Sequence, residues 1–404
     1  MILDPLHNFT PYSIEKIFGG RFSIASNVNL LWKGMDSFKI IFDTIREAKR
    51  QICLAFYIFR NDETGKILSE KLQEKSREGV KVYILYDHFG SFGTHRSFWN
   101  SMKKAGIKIR ASRPFNWTNP FHYVHRDHRK LIIIDSLKAF TGGLNIANEY
   151  SGFHIKPKEK SWRDTGILLE GPIANELFKN FQKSWYAWGG EKIEPPAENS
   201  NISLVKNTSN SSECLDLWKY RGGLLTIPIF SSSSKSRRKM RRLLYYSINH
   251  SQKSINLTTA YFIPSWRMID TLVHAVNRGV RVRLLVPGKS DVPAASYAGR
   301  AFFSRLLNAG VEIYTYLGEI LHAKSYLFDD CWSIIGSTNL DFQSFRYNDE
   351  GNVGILDVGF ASRMLNVFEE DIKNSTKIEL ISWKNRPLFD KIKEHFFSLF
   401  RKRL

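Results

Sequence analysis

The sequence predicts an α/β fold built from two similar halves related by a pseudo-twofold axis, each a mixed β-sheet flanked by helices. Three observations carry that prediction. Apolar runs of strand length alternate with amphipathic helical stretches. The same order returns in the second half of the chain. The return keeps near-constant offsets: Gly79-Val80 and Gly279-Val280 stand 200 residues apart, and Ala105-Gly106 and Ala309-Gly310 stand 204 apart. Such spacing marks an internal duplication over most of the chain.

Residues 1–27 form an N-terminal segment, in which Ser13–Phe18 reads as a short packing helix closed by Gly19-Gly20. The first half, 28–195, opens with a helix over 35–49 and a strand over Ile52–Phe59. A helix ending at Arg77, a strand over 79–87, a helix over Phe98–Lys104 and a strand over 106–109 follow. Pro195-Pro196 opens a polar, turn-rich linker, 196–212. The second half, 213–388, repeats the order: helix Arg238–His250, strand Ile255–Phe262, helix to Asn277, strand 279–285, helix Phe302–Leu307, strand 310–313. Residues 389–404 form a basic C-terminal helix.

At 404 residues the chain can bury a large core, and its net charge of +20 implies an anionic partner, either nucleic acid or an acidic lipid surface. The charge runs Lys235–Arg242 and Phe400–Arg403 are solvated helix faces by default, with anionic headgroups as the next reading. The three cysteines, Cys53, Cys214 and Cys331, are scattered and odd in number, so no disulfide framework follows and a reducing compartment is expected. No apolar run approaches the ~20 residues that span a bilayer. The first residues lack the order of a signal peptide. A soluble or peripheral protein is expected.

One phrase occurs twice. The first copy is His128-Arg129-Lys130 with Asp135, leading to Gly142-Gly143-Leu144-Asn145. The second is His322-Ala323-Lys324 with Asp329, leading to Gly336-Ser337-Thr338-Asn339. In both, His, Lys, Asp and Asn stand at offsets 0, 2, 7 and 17. The apolar run after each Lys reads as a buried strand, so alternation puts His and Lys on one face and Asp on the other. Read this way, Asp135 and Asp329 are turn-formers or anchors at the strand end. Each copy supplies an imidazole, an ammonium and an amide, a set suited to an anion.

Two halves closing on each other bring two such sets around one phosphate. One imidazole then attacks phosphorus while the other protonates the leaving oxygen. Each His needs a carboxylate on its second nitrogen. Asp164, in Trp162-Arg163-Asp164, and Glu350, in Asn348-Asp349-Glu350, are the candidates. No metal or other cofactor is called for. The run His122-x-x-His125-x-x-His128 suits neither a strand face nor a helix face, and has no counterpart in the second half.

The doubled HxKxxxxD pattern resembles the phospholipase D superfamily. Flanking residues extend the resemblance from about Asn29 to Pro387. They include Gly142–Ile146, Trp162-Arg163-Asp164, Tyr261-Phe262-x-Pro264, Pro287–Asp291 and Asn339-Leu340-Asp341, which resemble the bacterial cardiolipin synthase branch. The resemblance implies two phospholipase D-like halves, with motifs at 122–149 and 316–343 and an active site at their interface. It implies a catalytic set of His128, Lys130, Asp135, His322, Lys324 and Asp329, with Asn145, Asn339, Asp164 and Glu350 supporting the phosphate and the rings. It also implies transfer of a phosphatidyl group from one phosphatidylglycerol to the hydroxyl of another, with His128 as nucleophile and His322 as general acid. A chain of the shorter form, without N-terminal transmembrane helices, would act peripherally on the cytoplasmic face of a bacterial membrane. The rival readings are a phospholipid hydrolase and a nuclease of the same superfamily. The branch-specific flanking residues argue against nucleic acid.

Overall fold

The computed structural model describes residues 8–115, 125–153, 161–196 and 222–403. Most of the expected linker, His122, Cys214 and the opening of the second half lie outside the described residues.

Strand β1 (Ser23–Ala25) belongs to the second lobe. The first-lobe sheet is built from β2 (Asn27–Leu31), β3 (Gln51–Phe56), β4 (Lys81–Asp87), β5 (Lys108–Ser112), β6 (Leu131–Ile134), β7 (Lys138–Gly142) and β8 (Gly166–Glu170). Its order is β2-β8-β7-β6-β3-β4-β5. The second-lobe sheet adds β9 (Leu224–Ser231), β10 (Ser254–Thr258), β11 (Arg281–Pro287), β12 (Glu312–Tyr316), β13 (Ser325–Phe328), β14 (Trp332–Gly336), β15 (Glu350–Leu356) and β16 (Ser375–Lys377). Its order is β1-β9-β15-β14-β13-β10-β11-β12-β16. Without the edge strands β1 and β16, the two orders correspond strand for strand. In each, a parallel trio linked by crossover helices continues into antiparallel strands.

Alternation along the motif strands explains the layering. In β6, Ile132 and Ile134 face the helices of their own lobe, whereas Leu131 and Ile133 face a core shared with Leu327, Ile335, Val353 and Ile355 of the other sheet. The helices Pro172–Ala187 and Val358–Lys373 fill that central layer with Leu177, Phe181, Trp185, Phe360 and Met364. The N-terminal helix Pro11–Phe18 is a packing helix, burying Ile14 and Phe18 in the second-lobe core.

Three expectations are corrected. In each lobe another strand, β2 or β9, comes before the strands expected over Ile52–Phe59 and Ile255–Phe262, and these are shorter than their apolar runs, ending at Phe56 and Thr258. The reason is that Ile58 N and Tyr261 N leave the ladder to donate to the side chains of Asn145 and Asn339, at 3.1 and 3.3 Å. The motif strands begin at Leu131 and Ser325, so each His–Lys pair stands on the extended lead-in rather than in the strand. Those lead-ins bond across to the opposite lobe. Finally, Arg237 in the basic run is buried and points at the Asn348 carbonyl and Asp349, so that helix face is not wholly solvated.

Candidate active site

The cleft is assembled by two equivalent cross-lobe bridges. His128 N donates to the Asp349 carbonyl at 2.8 Å, and Asp349 N donates to the Arg126 carbonyl at 2.8 Å. In the other half His322 N donates to the Arg163 carbonyl at 2.7 Å, and Arg163 N to the Ile320 carbonyl at 2.9 Å. Each motif lead-in is thereby paired with the segment carrying the other lobe's carboxylate.

The carboxylates are exchanged. His128 Nδ1 lies 3.1 Å from Glu350 Oε2, and His322 Nδ1 lies 2.6 Å from Asp164 Oδ2. Both acids are held in turn. Glu350 accepts from the Ser337 hydroxyl, which itself accepts from Gly351 N at 3.0 Å. Asp164 accepts from Thr165 N at 2.7 Å. Arg163 grips Asp371 of the helix Val358–Lys373 through Nε at 2.8 Å and Nη2 at 2.7 Å, locking the Asp164 segment onto the second lobe. A carboxylate on Nδ1 fixes the tautomer with Nε2 unprotonated and free to react.

The lysines lie beside the rings. Lys130 Nζ donates to the His128 carbonyl at 2.6 Å, and Lys324 Nζ lies 2.8 Å from His322 Nδ1. Burial and then repulsion from Lys324 push Lys130 down to about 7, and burial pushes Lys324 down to about 8. Burial and then Lys324 push His322 down to about 4; burial and then Lys130 lower His128. Burial alone would raise Asp164 and Glu350, but the facing imidazoles and lysines outweigh it and hold both carboxyls below the usual range. The cleft thus combines neutral rings, ionised acids and two crowded lysines whose charged forms burial and mutual repulsion disfavour. An entering phosphodiester anion relieves that crowding.

Asn145 and Asn339 spend their carbonyl oxygens on Ile58 N and Tyr261 N. The Asn145 amide is buried and interacts with the hydroxyl of Tyr150, which packs on His322. Asp135 and Asp329, expected both as strand-end anchors and as members of the catalytic set, stand at the ends of the motif strands and bond to backbone N–H groups there. Five residues of extended chain, ~16 Å, separate each from its Lys. Asp135 accepts Lys49 N, Arg50 N and Gln51 N, each at 2.8 Å, at φ 53°. Asp329 accepts Gln252 N, Lys253 N and Ser254 N at 2.7–3.0 Å, at φ 49°. Both pin the far end of a motif strand to its neighbour. His125 Nδ1 is engaged by the Tyr347 carbonyl at 2.8 Å.

Sequence reading missed the aromatic walls. Tyr57 stands edge-on to His128 with centroids 5.1 Å apart, and Tyr150 and Trp162 pack on His322 at 5.3 and 5.7 Å. Tyr261 also meets His322, at 6.3 Å, and its hydroxyl donates to Asp291 at 2.7 Å. A signal was present: Tyr57 and Tyr261 stand 204 residues apart, the offset of the Ala-Gly repeat.

A family profile described as cardiolipin synthase, PLD-like domain, matches residues 41–185 and 244–372. This chain belongs to that family. Among curated members, a probable cardiolipin synthase of Bacillus subtilis is 32% identical over 402 residues, spanning 98% of this chain and 76% of the relative. Cardiolipin synthase 1 of Bacillus cereus is 33% identical over 394 residues, spanning 96% and 74%. The phosphatidylserine synthase of Haemophilus influenzae superimposes with a TM-score of 0.73 over 98% of this chain and all of that one, at 15% identity, which shows the shared fold. Among the described residues of this cardiolipin synthase family member, no helix is long and apolar enough to cross a membrane.

Proposed function

We propose that this chain is a cardiolipin synthase-type phosphatidyltransferase acting on phosphatidylglycerol at a membrane surface. The observation that carries the reading is the pair of imidazoles, each oriented by the opposite lobe's carboxylate, with two lysines beside them.

In the first step the Nε2 of His128 forms a bond to phosphorus and the bond from phosphorus to the glycerol oxygen breaks. His322, protonated once the phosphodiester anion lies beside it and favours the charged ring, gives its proton to that oxygen and glycerol leaves. In the second, neutral His322 takes the proton from a headgroup hydroxyl of another phosphatidylglycerol. That oxygen bonds to phosphorus, and the phosphorus–nitrogen bond breaks. Lys130, Lys324 and the Asn145 and Asn339 amides offset charge on the phosphoryl oxygens. Assignment of His128 as the nucleophile follows the family resemblance. The halves 28–195 and 213–388 act as one catalytic unit. The chain works as a peripheral protein on the cytoplasmic membrane face.

Purified protein incubated with labelled phosphatidylglycerol vesicles and a chelator tests this. Cardiolipin plus glycerol is the expected result. Phosphatidic acid as the main product would make the protein a hydrolase, and an inert lipid beside a cleaved oligonucleotide would overturn the substrate class. Full activity in His128→Ala or His322→Ala would refute the two-imidazole scheme.

A further inference from the structure

The last helix, Leu388–Leu399, leaves an apolar stripe uncovered. Leu388, Phe389, Ile392, Phe396, Leu399 and Phe400 are between 43% and 71% exposed. At helical spacing they fall within an arc of about 120°. The opposite side of the helix is firmly docked. Glu394 is buried and accepts from Arg300 Nε at 3.0 Å and Arg386 Nη2 at 2.6 Å, and Phe397 stacks on Tyr297 with centroids 5.8 Å apart. These contacts fix the rotation of the helix, so the stripe faces outward by construction. Six large apolar groups in one stripe are more than scattered surface exposure leaves.

Cations border the stripe. Lys391 falls on one side at helical spacing, its Nζ donating to the Lys384 carbonyl at 2.8 Å, and Lys393 on the other, its Nζ 4.3 Å from the Phe389 ring centroid; Lys402 follows in the turn beyond the helix. Apolar side chains flanked by long cationic ones fit the boundary between anionic headgroups and acyl chains, where ammonium groups reach back to phosphates. The net charge of +20 acts in the same sense.

The stripe is also tied to the cleft. Its helix lies on Pro293–Arg300, which follows the loop bearing Asp291, the acceptor for the Tyr261 hydroxyl against His322. Beyond its other end, the Arg403 carbonyl accepts from Gln343 Nε2 at 2.9 Å, on the short helix Phe342–Arg346 just after Asn339. We propose that Leu388–Phe400 is an interfacial docking helix that lies in the plane of an anionic bilayer and sets the mouth of the cleft against it. The proposal rests on the phospholipid reading above and names the surface that serves it.

The test compares full-length wild type with the variant Phe389→Ser/Ile392→Ser/Phe396→Ser. Co-sedimentation is measured with phosphatidylcholine vesicles, with and without phosphatidylglycerol, and turnover with phosphatidylglycerol in detergent micelles. The variant is expected to lose at least about tenfold in partition onto anionic vesicles. Its micellar turnover, which also reports correct folding, should stay within about twofold of wild type, since no altered side chain touches the cleft. A second variant, Lys391→Glu/Lys393→Glu/Lys402→Glu, should lose most at low salt. Vesicle binding unchanged in the serine variant overturns the proposal. So does a fall in mass by ultracentrifugation with vesicle binding intact, which makes the stripe a contact between copies of the chain. Stripe-dependent vesicle binding without phosphatidyl transfer by wild type leaves the docking helix standing and removes the functional reading instead.

Discussion

His322 of the second lobe is oriented by Asp164 of the first, at 2.6 Å, and the reverse holds for His128 and Glu350 at 3.1 Å. A carboxylate in this position selects the tautomer and stabilises the imidazolium that forms during proton transfer. Asp164→Asn and Glu350→Gln are therefore expected to lower kcat by about 10²- to 10⁴-fold. Affinity for anionic vesicles should be unchanged. Steady-state kinetics beside a sedimentation assay separates the two. A variant with wild-type kcat would remove the carboxylate from the mechanism.

The lysines set the alkaline limit. Lys130, pushed down to about 7, and Lys324, pushed down to about 8, lose their protons in the free cleft as pH rises through that range. In the proposed mechanism the charged forms receive the phosphate, so kcat/KM is expected to fall between pH 7 and 8. The fall in kcat should lie higher, since bound phosphate raises both groups.

Stability runs the other way. Between pH 7 and 10.5 the unfolded chain holds a proton on Lys130 that the folded chain has released. Wild type therefore gains stability with rising pH across this window relative to Lys130→Met. Melting temperatures of the two proteins at several pH values check the sign. A constant difference would mean that the buried amine is not shifted.

Gly143 offers a test through a residue without a side chain, whose backbone N–H donates to the Thr165 carbonyl at 2.9 Å. A methyl group at its Cα would collide with the Asp164 carboxylate. Gly143→Ala should displace Asp164 from His322 and depress kcat by about tenfold or more, while vesicle binding holds. A kcat equal to wild type would show that the carboxylate has room to move.

Asp135 and Asp329 predict a stability effect instead. Each satisfies three backbone N–H groups from a left-handed conformation that Asp and Asn tolerate better than Ala. Asp329→Ala should cost about 1–3 kcal/mol in denaturant melts. Asp329→Asn should cost less, and kcat of the folded fraction should persist in both. A catalytic defect larger than the folding defect would return the residue to the site.

Much of the fold and site was legible because the local signals were strong. The spacing of His128 and Lys130 is that of an extended chain, and its copy at His322 and Lys324 announced a duplication. The residues themselves read Asp135 and Asp329 as anchors at strand ends, whereas grouping by motif placed them with the catalytic residues. Each lies just past its strand at positive φ and holds three backbone N–H groups, as an anchor does. Asp164 and Glu350 could be named as ring partners from sequence, but which ring each serves depends on how the lobes meet, and no local pattern encodes that. Strand β15 was invisible for a different reason: Glu350-Gly351-Asn352-Val353-Gly354 lacks both alternation and β-branched density. The uncovered stripe at Leu388–Phe400 has helical periodicity in the sequence, but exposure could be seen only once the opposite face was found docked.

The reciprocal exchange of carboxylates bears on how such a chain can evolve. In a protein made of two copies, one copy is ordinarily free to decay or take up new work once the other suffices. Here each copy's imidazole is oriented by an acid carried on its sibling, so neither half holds a complete ring–carboxylate pair of its own, and damage to one half is expected to reach the chemistry of both.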